Sequence, residues 1–561
     1  MKKFLSKYKL GLVIVGTAFT TMISFSFVDD YFEISKNLDI FSGIYREVNM
    51  YYVDSTDPGK LMKKGIDSML ESLDPYTNYI PESDIEDYRF LTTGQYGGIG
   101  ALIKQRGDNV VISDPYEGYP AQKAGLLAGD VILEIDGKVV RNKKTDDISR
   151  LLKGSPKTQV KLLIQREGEP APFEKVLTRE EIKVKSVPYY GMVTDNIGYV
   201  RLNSFTENAG RDVGNAIKEL KAKNNLQGLI FDLRNNPGGL LNEAVNISNL
   251  FVDRGQDIVS TKGRLKDLNK TYKALNEAVD ANIPLAVLVN SGSASASEIV
   301  SGSLQDLDRG VIVGQRTFGK GLVQTTRPLS YNTQLKITTS KYYIPSGRCI
   351  QALDYSHRNE DGSVGKVPDS LVTEFSTRAG RKVFDGGGIL PDIKLDPVKL
   401  SNISQSLISK NLIFDFATRY RKEHATISAS KDFKLTDADF QQFVSYINDK
   451  DYDYTTKSEK AMEDLKKNSE EEKYFQDITT EYDALKNKLA HNKQADVEKN
   501  KTEILQLLEE EIISRYYYQS GRIETTLQHD PELKRAIEVL GNKDEYSSLL
   551  KRPLKADAGK K

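Results

Sequence analysis

Apolar positions along this chain change their spacing several times, and each change predicts a different architecture. From Tyr31 to about Arg89 they recur at helical intervals. Ile34, Leu38, Phe41, Tyr45 and Val48 make one stripe, and Leu61, Met62, Ile66, Met69, Leu70 and Leu73 another. Stripes of this kind pack into a core or against a second copy, and Leu73-Asp74-Pro75-Tyr76-Thr77 then stops the helix. From Gly94 to Lys183 short β-branched runs alternate with glycine turns. Val110-Val111-Ile112, Gly129 to Gly137 and Val160 to Ile164 read as strands, and Pro120 to Leu126 as a short helix ended by Gly125. Ile148, Leu151 and Leu152 mark a second helix. Further on, Leu229 to Arg234, Leu285 to Val289 and Val311 to Val313 read as buried strands, interleaved with helices over Leu240 to Phe251 and around Ile299, Val300, Leu304 and Leu307. Gln334 to Ile344 reads as a long strand closing that sheet. Beyond Leu400 the pattern is polar and helical: Leu505, Leu508, Ile512 and Ile513 supply an apolar face, and the Lys/Glu-rich run to Glu510 a solvated one. The predicted organisation is multidomain α/β: an N-terminal helical segment at 29–90, a strand-rich domain at 94–184, an α/β core at 185–395 and a helical extension at 400–561. Packing, oligomer contact or partner recognition is all that the extension suggests.

The chemistry concentrates between Asn290 and Gln324. Ser295 is predicted where the Leu285–Val289 strand hands over to a helix. Peptide N–H groups are free there and the helix dipole favours negative charge. A hydroxyl in that place can attack a carbonyl while the following N–H groups hold the oxyanion. Ser295-Ala-Ser-Glu298 also fits the S-x-x-E capping box, in which the serine only terminates a helix. A nucleophilic serine needs a base as well. The four histidines, His357, His424, His491 and His529, stand in a Gly/Asp-rich loop or in the polar C-terminal region, and no G-x-S-x-G elbow occurs. That argues against a Ser-His-Asp triad. A lysine serves if burial leaves it a neutral amine, and Lys320, between two glycines in Thr317-Phe-Gly-Lys-Gly321, is in an odd setting for a merely solvated lysine. Upstream, the Leu229 to Arg234 strand runs into Asn235-Asn236-Pro237-Gly238-Gly239, at the strand end where α/β folds build sites. Asp232 and Arg234 beside this turn read as an ion pair ordering it, with a catalytic role as the alternative.

Two of these motifs carry a resemblance. Gly292-Ser-Ala-Ser-Ala-Ser-Glu298 and Thr317-Phe-Gly-Lys-Gly-Leu-Val-Gln324, at their separation, resemble the active-site region of the C-terminal processing (tail-specific) peptidases, serine peptidases with a Ser–Lys dyad. The resemblance implies Ser295 as nucleophile, Lys320 as general base and Gln324 as the residue orienting the lysine. It implies an oxyanion hole of Ala296 with Gly238 or Gly239. It covers about Leu38 to Leu395, where Gly386-Gly387-Gly388-Ile389-Leu390-Pro391-Asp392 resembles the end of the family's catalytic core. A crotonase/Clp-protease-like core with an inserted PDZ domain follows from it, as does an N-terminal segment that caps the protease and joins oligomer contacts, so a homo-oligomer is expected. The 94–184 region itself resembles a PDZ domain. Gly97-Gly98-Ile99-Gly100 falls where that fold offers backbone N–H groups to a peptide's C-terminal carboxylate, the peptide then adding beside the adjoining strand. No Lys-Ser/Thr follows at P-loop spacing, which excludes a phosphate loop.

Composition changes the picture in a few places only. At 561 residues the chain is long enough for roughly three to four domains of about 150 residues. Its 79 basic and 79 acidic residues argue neither for nucleic acid nor against it, and no nucleic-acid partner is expected. The single cysteine, Cys349, excludes an intramolecular disulfide and reads as a small buried residue; no Cys/His cluster has metal-ligand spacing, so neither metal nor cofactor is expected. Lys2, Lys3, Lys7 and Lys9 precede an uncharged run from Leu10 to Val28, which as a helix spans about 28 Å at 1.5 Å per residue. With Asp29-Asp30 after it, residues 1–28 read as a signal anchor or a signal peptide, placing the remainder on the extracytoplasmic (periplasmic) side. The expected function is an exported serine endopeptidase acting on proteins with exposed C-termini. The competing readings are a silent PDZ scaffold and a crotonase-like acyl-thioester enzyme.

Overall fold

A strand that is apolar at every position has to be covered on both faces. Leu285–Val289 is such a strand, buried throughout, and it lies inside a six-stranded sheet. The order is Tyr189–Met192, Ile197–Arg201, Gly228–Asp232, Leu285–Val289, Val311–Gly314 and Ile393–Lys394; the first pair is antiparallel and the rest are parallel. Helices Ala209–Lys223, Leu241–Asn249 and Ala296–Asp306 cover one face, with Val213, Ile217, Ile247, Val300 and Leu304 in one core with Phe231, Val287 and Ile312. The alternate residues Tyr199, Ile230, Ala286, Leu288, Val311 and Val313 point the other way. They meet Ile523, Leu527, Leu533, Ala536, Val539 and Leu540 from the C-terminal helices Lys501–Leu527 and Pro531–Gly541. The extension therefore supplies the second layer of this sheet.

The computed structural model describes residues 31–489 and 493–551. The run Leu10 to Val28, His491 and the final Lys-Ala-Asp-Ala-Gly-Lys-Lys lie outside them. Among the described residues no helix is long and apolar enough to cross a membrane. Two compact units are distinguished: residues 31–81 with Thr326–Ile337, and residues 82–325 with Thr338 onward. In the first, a helix over 31–51 is followed by Pro58–Glu71, started by Asp57, whose carboxylate accepts from the Lys60 N–H. The predicted stop is an Asx turn in which Asp74 accepts from the N–H groups of Tyr76 and Thr77, each at 2.8 Å. A strand absent from the sequence reading, Asn78–Ile80, then pairs antiparallel with Gln334–Lys336. Ile34, Leu38 and Phe41 stand exposed, so their stripe is not the core of this unit.

In the second unit the strand-rich domain is a sheet ordered Ala101–Arg106, Asn109–Pro115, Val131–Ile135, Gln159–Gln165 and Phe173–Thr178, around a core of Ile112, Leu126, Ile148, Val160 and Leu162. The extension has its own core, with Phe416, Phe440, Phe443 and Leu508. It also grips the strand-rich domain: Arg106 pairs with Asp415 at 2.6 Å, and the Lys104 ammonium lies 3.3 Å from the Phe414 ring centroid. Inside Lys501–Leu527 the helix breaks at Tyr518 (φ +52°, ψ −154°). The bend is sharp enough for Arg522 to reach Glu511 at 3.0 Å, across what would be about 16 Å of straight helix. The Tyr518 hydroxyl accepts from Gln122 Nε2 at 2.8 Å.

One sequence expectation fails here. Gln334–Tyr343 does not close the parallel sheet; its second half pairs antiparallel with Asp257–Lys262, and Leu322–Pro328 also pairs with it. The edge of the parallel sheet is instead Ile393–Lys394, two residues whose partner is Val313-Gly314. An apolar pattern identifies a strand, but its partner is set by contacts far away in sequence.

Candidate active site

The serine's turn is built by short polar side chains. After Val289, the Asn290 N–H donates to Ser293 Oγ at 2.9 Å, and Ser293 Oγ donates to the Leu233 carbonyl at 2.8 Å. The Ala294 N–H and the Ser297 hydroxyl both donate to the Asn236 carbonyl, at 3.0 and 2.9 Å. The two strand-end loops are thus stitched to each other before the helix begins. Ser295 enters that helix at φ +54°, ψ −110°, a backbone setting that costs an L-residue on the order of 1–3 kcal/mol and persists only where surroundings impose it.

Glu298 imposes it. The Ser295 N–H donates to Glu298 Oε2 at 2.8 Å, and the Lys320 N–H donates to the same oxygen at 2.9 Å. The other oxygen accepts from the Thr317 hydroxyl and the Gly319 N–H, each at 2.6 Å. One buried carboxylate therefore holds the backbones of Ser295 and Lys320 together. Burial pushes Glu298 up to about 7, while hydrogen bonds from Thr317, Lys320, Gly319 and Ser295 pull the other way. The Phe318 N–H adds a bond to the Ser293 carbonyl at 3.0 Å. Tyr342 closes the far side: its hydroxyl donates to the Ser295 carbonyl at 3.2 Å and its N–H to the Gly321 carbonyl at 2.9 Å.

The Pro-Gly-Gly turn reaches the same place. Gly238 has φ +102°, and a Cβ there would lie 2.7 Å from the Ala294 carbonyl oxygen and 2.9 Å from the Ala296 nitrogen. Gly239, at φ +147°, would instead strike the Phe205 carbonyl oxygen at 2.5 Å. So Gly238 is the glycine packed on the serine, yet its N–H donates to Asn236 Oδ1 at 2.9 Å. Asp232 and Arg234 form the expected ion pair at 2.6 Å; the Tyr199 hydroxyl also donates to Asp232, at 2.6 Å. Arg234 in turn pairs with Asp530 and Glu532 of the extension.

The structure brings together Ser295, Ala296, Gly238 and the backbone of Lys320. Gln324 Nε2 donates to Thr338 Oγ1 at 3.1 Å. Gly97 and Gly98 end the strand Gln95–Gly98, which pairs with Glu180–Lys183, and Gly97 lies so close to the Gly154 carbonyl that a Cβ would come within 2.1 Å of it. Ile99 is buried and Gly100, at φ +72°, turns the chain into Ala101–Arg106, an edge strand of its sheet. Sequence reasoning gave Glu298 no role beyond its capping box and gave none to Thr317 or Tyr342, although Glu298 closes one of the two resembling motifs and Thr317 opens the other. A glutamate buried inside an apolar helix was the available signal for the first and membership of the lysine motif for the second; nothing local marks Tyr342.

Family models match the chain in three places: peptidase family S41 over residues 196–358, a PDZ domain over 111–166, and the "Probable PDZ-protease, C-terminal helical domain" over 403–540. The carboxy-terminal-processing protease of Bartonella bacilliformis is 41% identical over 343 residues, 60% of this chain and 76% of that protein. The chain belongs to the carboxy-terminal-processing proteases of peptidase family S41, and is a serine-type peptidase. A "Probable CtpA-like serine protease" of Staphylococcus aureus is 35% identical over 350 residues, 61% of this chain and 69% of its own. Among solved structures, the photosystem II D1 C-terminal processing protease shares 31% identity, covering 64% of this chain and 92% of that one, with a TM-score of 0.34.

Proposed function

We propose that the chain is an exported endopeptidase that recognises protein C-terminal tails through its PDZ domain and cleaves by a Ser–Lys dyad, on a core of the crotonase/Clp-protease kind. The observation that carries the dyad is the Glu298 oxygen shared by the Ser295 and Lys320 N–H groups. Neutral Lys320 takes the Ser295 proton, and Oγ attacks the substrate carbonyl. The oxyanion rests on the Ala296 N–H and an N–H of the Gly238-Gly239 turn. Collapse expels the amine, which receives its proton from Lys320; water activated by the same lysine then hydrolyses the acyl-enzyme. Gln324, fixed by Thr338, orients the lysine. Tail recognition is supported by the open edge of Ala101–Arg106 beside the Gly97–Gly100 turn, where an extended peptide can add as a further strand. Export and membrane attachment would be the work of residues 1–28, and assembly into a homo-oligomer that of the exposed N-terminal helices.

The test uses the full chain as wild type, Ser295→Ala and Lys320→Ala, incubated with an unfolded protein bearing an apolar C-terminus, with fragments read by mass spectrometry. Either substitution is expected to cut turnover by at least about a thousandfold with circular dichroism unchanged. Near-normal cleavage by Lys320→Ala would overturn the dyad, and inactivity of all three folded proteins would favour the scaffold reading. Amidating the substrate's C-terminus is expected to slow cleavage about tenfold, because the carboxylate then offers nothing to the Gly97–Gly100 amides. Equal rates for both substrates would remove tail recognition.

A further inference from the structure

The helical extension does more than cover the sheet: at one point it grips both arms of the active site. Glu532 is the second residue of the helix Pro531–Gly541 and is buried. Its Oε2 accepts from Arg234 Nη1 at 2.7 Å, and its Oε1 from Gln315 Nε2 at 3.0 Å. From Arg234 the chain runs straight into the Asn235–Gly239 turn that packs on Ser295. From Gln315, whose N–H is bonded to the Val289 carbonyl at 3.0 Å, it runs into the loop that carries Lys320. The carboxylate therefore bridges the roots of the oxyanion turn and the lysine loop.

Its own position is firmly held. Asp530 Oδ1 accepts from the N–H groups of Glu532 and Leu533, at 2.9 and 3.0 Å, and Asp530 also pairs with Arg234 at 2.6 Å. Leu533, Ala536, Val539 and Leu540 anchor the same helix on the sheet. A group that fixes two loops from a rigid element sets their spacing, and spacing errors near 1 Å can cost a catalyst about a hundredfold.

We propose that Glu532 is a positioning residue for catalysis, by which the C-terminal helical domain sets the separation between the oxyanion turn and the lysine loop. This deepens the Ser–Lys reading above and rests on it for its catalytic consequence. Loss of Glu532 leaves Arg234 still paired with Asp232 and Asp530, so no buried charge is abandoned and the fold is expected to survive.

The experiment compares the full chain with Glu532→Ala and Glu532→Gln by hydrogen exchange, melting and cleavage kinetics. In Glu532→Ala, amides of Asn235–Gly239 and Arg316–Gly321 are expected to exchange about tenfold faster, with melting nearly unchanged. The kcat is expected to fall about tenfold or more and KM to stay within about threefold, since the residue touches no substrate. Glu532→Gln, which keeps one acceptor oxygen for two donors, should fall between wild type and alanine. Unchanged exchange in both loops, or unchanged kcat beside an active wild type, overturns the proposal. So does a general loss of protection with lowered melting, which is what a merely structural contact gives. Faster exchange in the two loops of a chain whose wild type cleaves nothing would leave the positioning role standing and remove the dyad chemistry instead.

Discussion

Replacing Glu298 by alanine is expected to abolish proteolysis and to lower stability by about 3–5 kcal/mol, as read by circular dichroism in urea. The change strips acceptors from the buried Gly319 N–H and Thr317 hydroxyl and from the half-buried N–H groups of Ser295 and Lys320. Each unsatisfied group costs about 1–3 kcal/mol, and partial relaxation keeps the total below the sum. Glutamine keeps the volume but offers one acceptor oxygen and turns an NH2 toward other donors, so it should restore part of the stability and little of the activity. Near-normal turnover in either variant would mean that something else aligns Ser295 with Lys320. The same carboxylate predicts a pH dependence. Burial raises its pKa from the ordinary carboxylate value of 4.5 to about 7, so the folded protein retains a proton that the unfolded chain has lost. The stability it contributes is present below about pH 4.5 and is lost as pH rises toward 7. Activity should move oppositely, because only the ionised form accepts all four donors. The check is the melting temperature of Ser295→Ala between pH 4 and 8, beside kcat of wild type over the same range, each range being about the window that these values set. A melting temperature that does not decline across that window would contradict the shift.

Gly238→Ala is the second substitution with a large expected effect. Its new Cβ has no free space: the Ala294 oxygen, the Ala296 nitrogen and Ser295 Cβ all lie within 2.9 Å, and φ is +102°. Two of these are backbone atoms and cannot swing away, so the Ser295 turn itself must shift. A fall in kcat of about a hundredfold, with a loss of about 1–3 kcal/mol in stability, is expected. Gly239→Ala strikes the Phe205 carbonyl instead, so it should cost comparable stability with a smaller loss of kcat. Equal kcat losses in the two variants would show that neither glycine is closer to the chemistry.

Much of this site was legible in the chain before its fold was known. Leu285–Val289 had to be buried, and Ser295 had to stand where it ends. The oddity of Lys320 between glycines was equally local. What sequence could not supply was the second use of groups with a sufficient local role. Glu298 does cap its helix through the Ser295 N–H, and that completes the S-x-x-E pattern; its reach to Gly319 and Lys320 spans twenty-one and twenty-two residues and leaves no periodic trace. The long strand Gln334–Tyr343 was recognised by its composition and assigned to the wrong sheet, because its partners lie elsewhere in the sequence. Leu533, Ala536, Val539 and Leu540 have helical spacing, but nothing in that spacing names the strands they cover.

The second layer of the catalytic sheet comes from almost the last described helices, and this has a consequence for biosynthesis. While the chain is being made, the Ser295 and Lys320 loops emerge long before the residues that cover Ile230, Ala286 and Leu288. Until about residue 540 is available, the sheet has one bare apolar face and no Glu532 to bridge its loops. Domains fold as units once their sequence is complete, so the order of synthesis acts as a timer: the nascent peptidase stays unarmed until its C-terminal helices have been made, and the two loops of its site are locked by residues synthesised well after them.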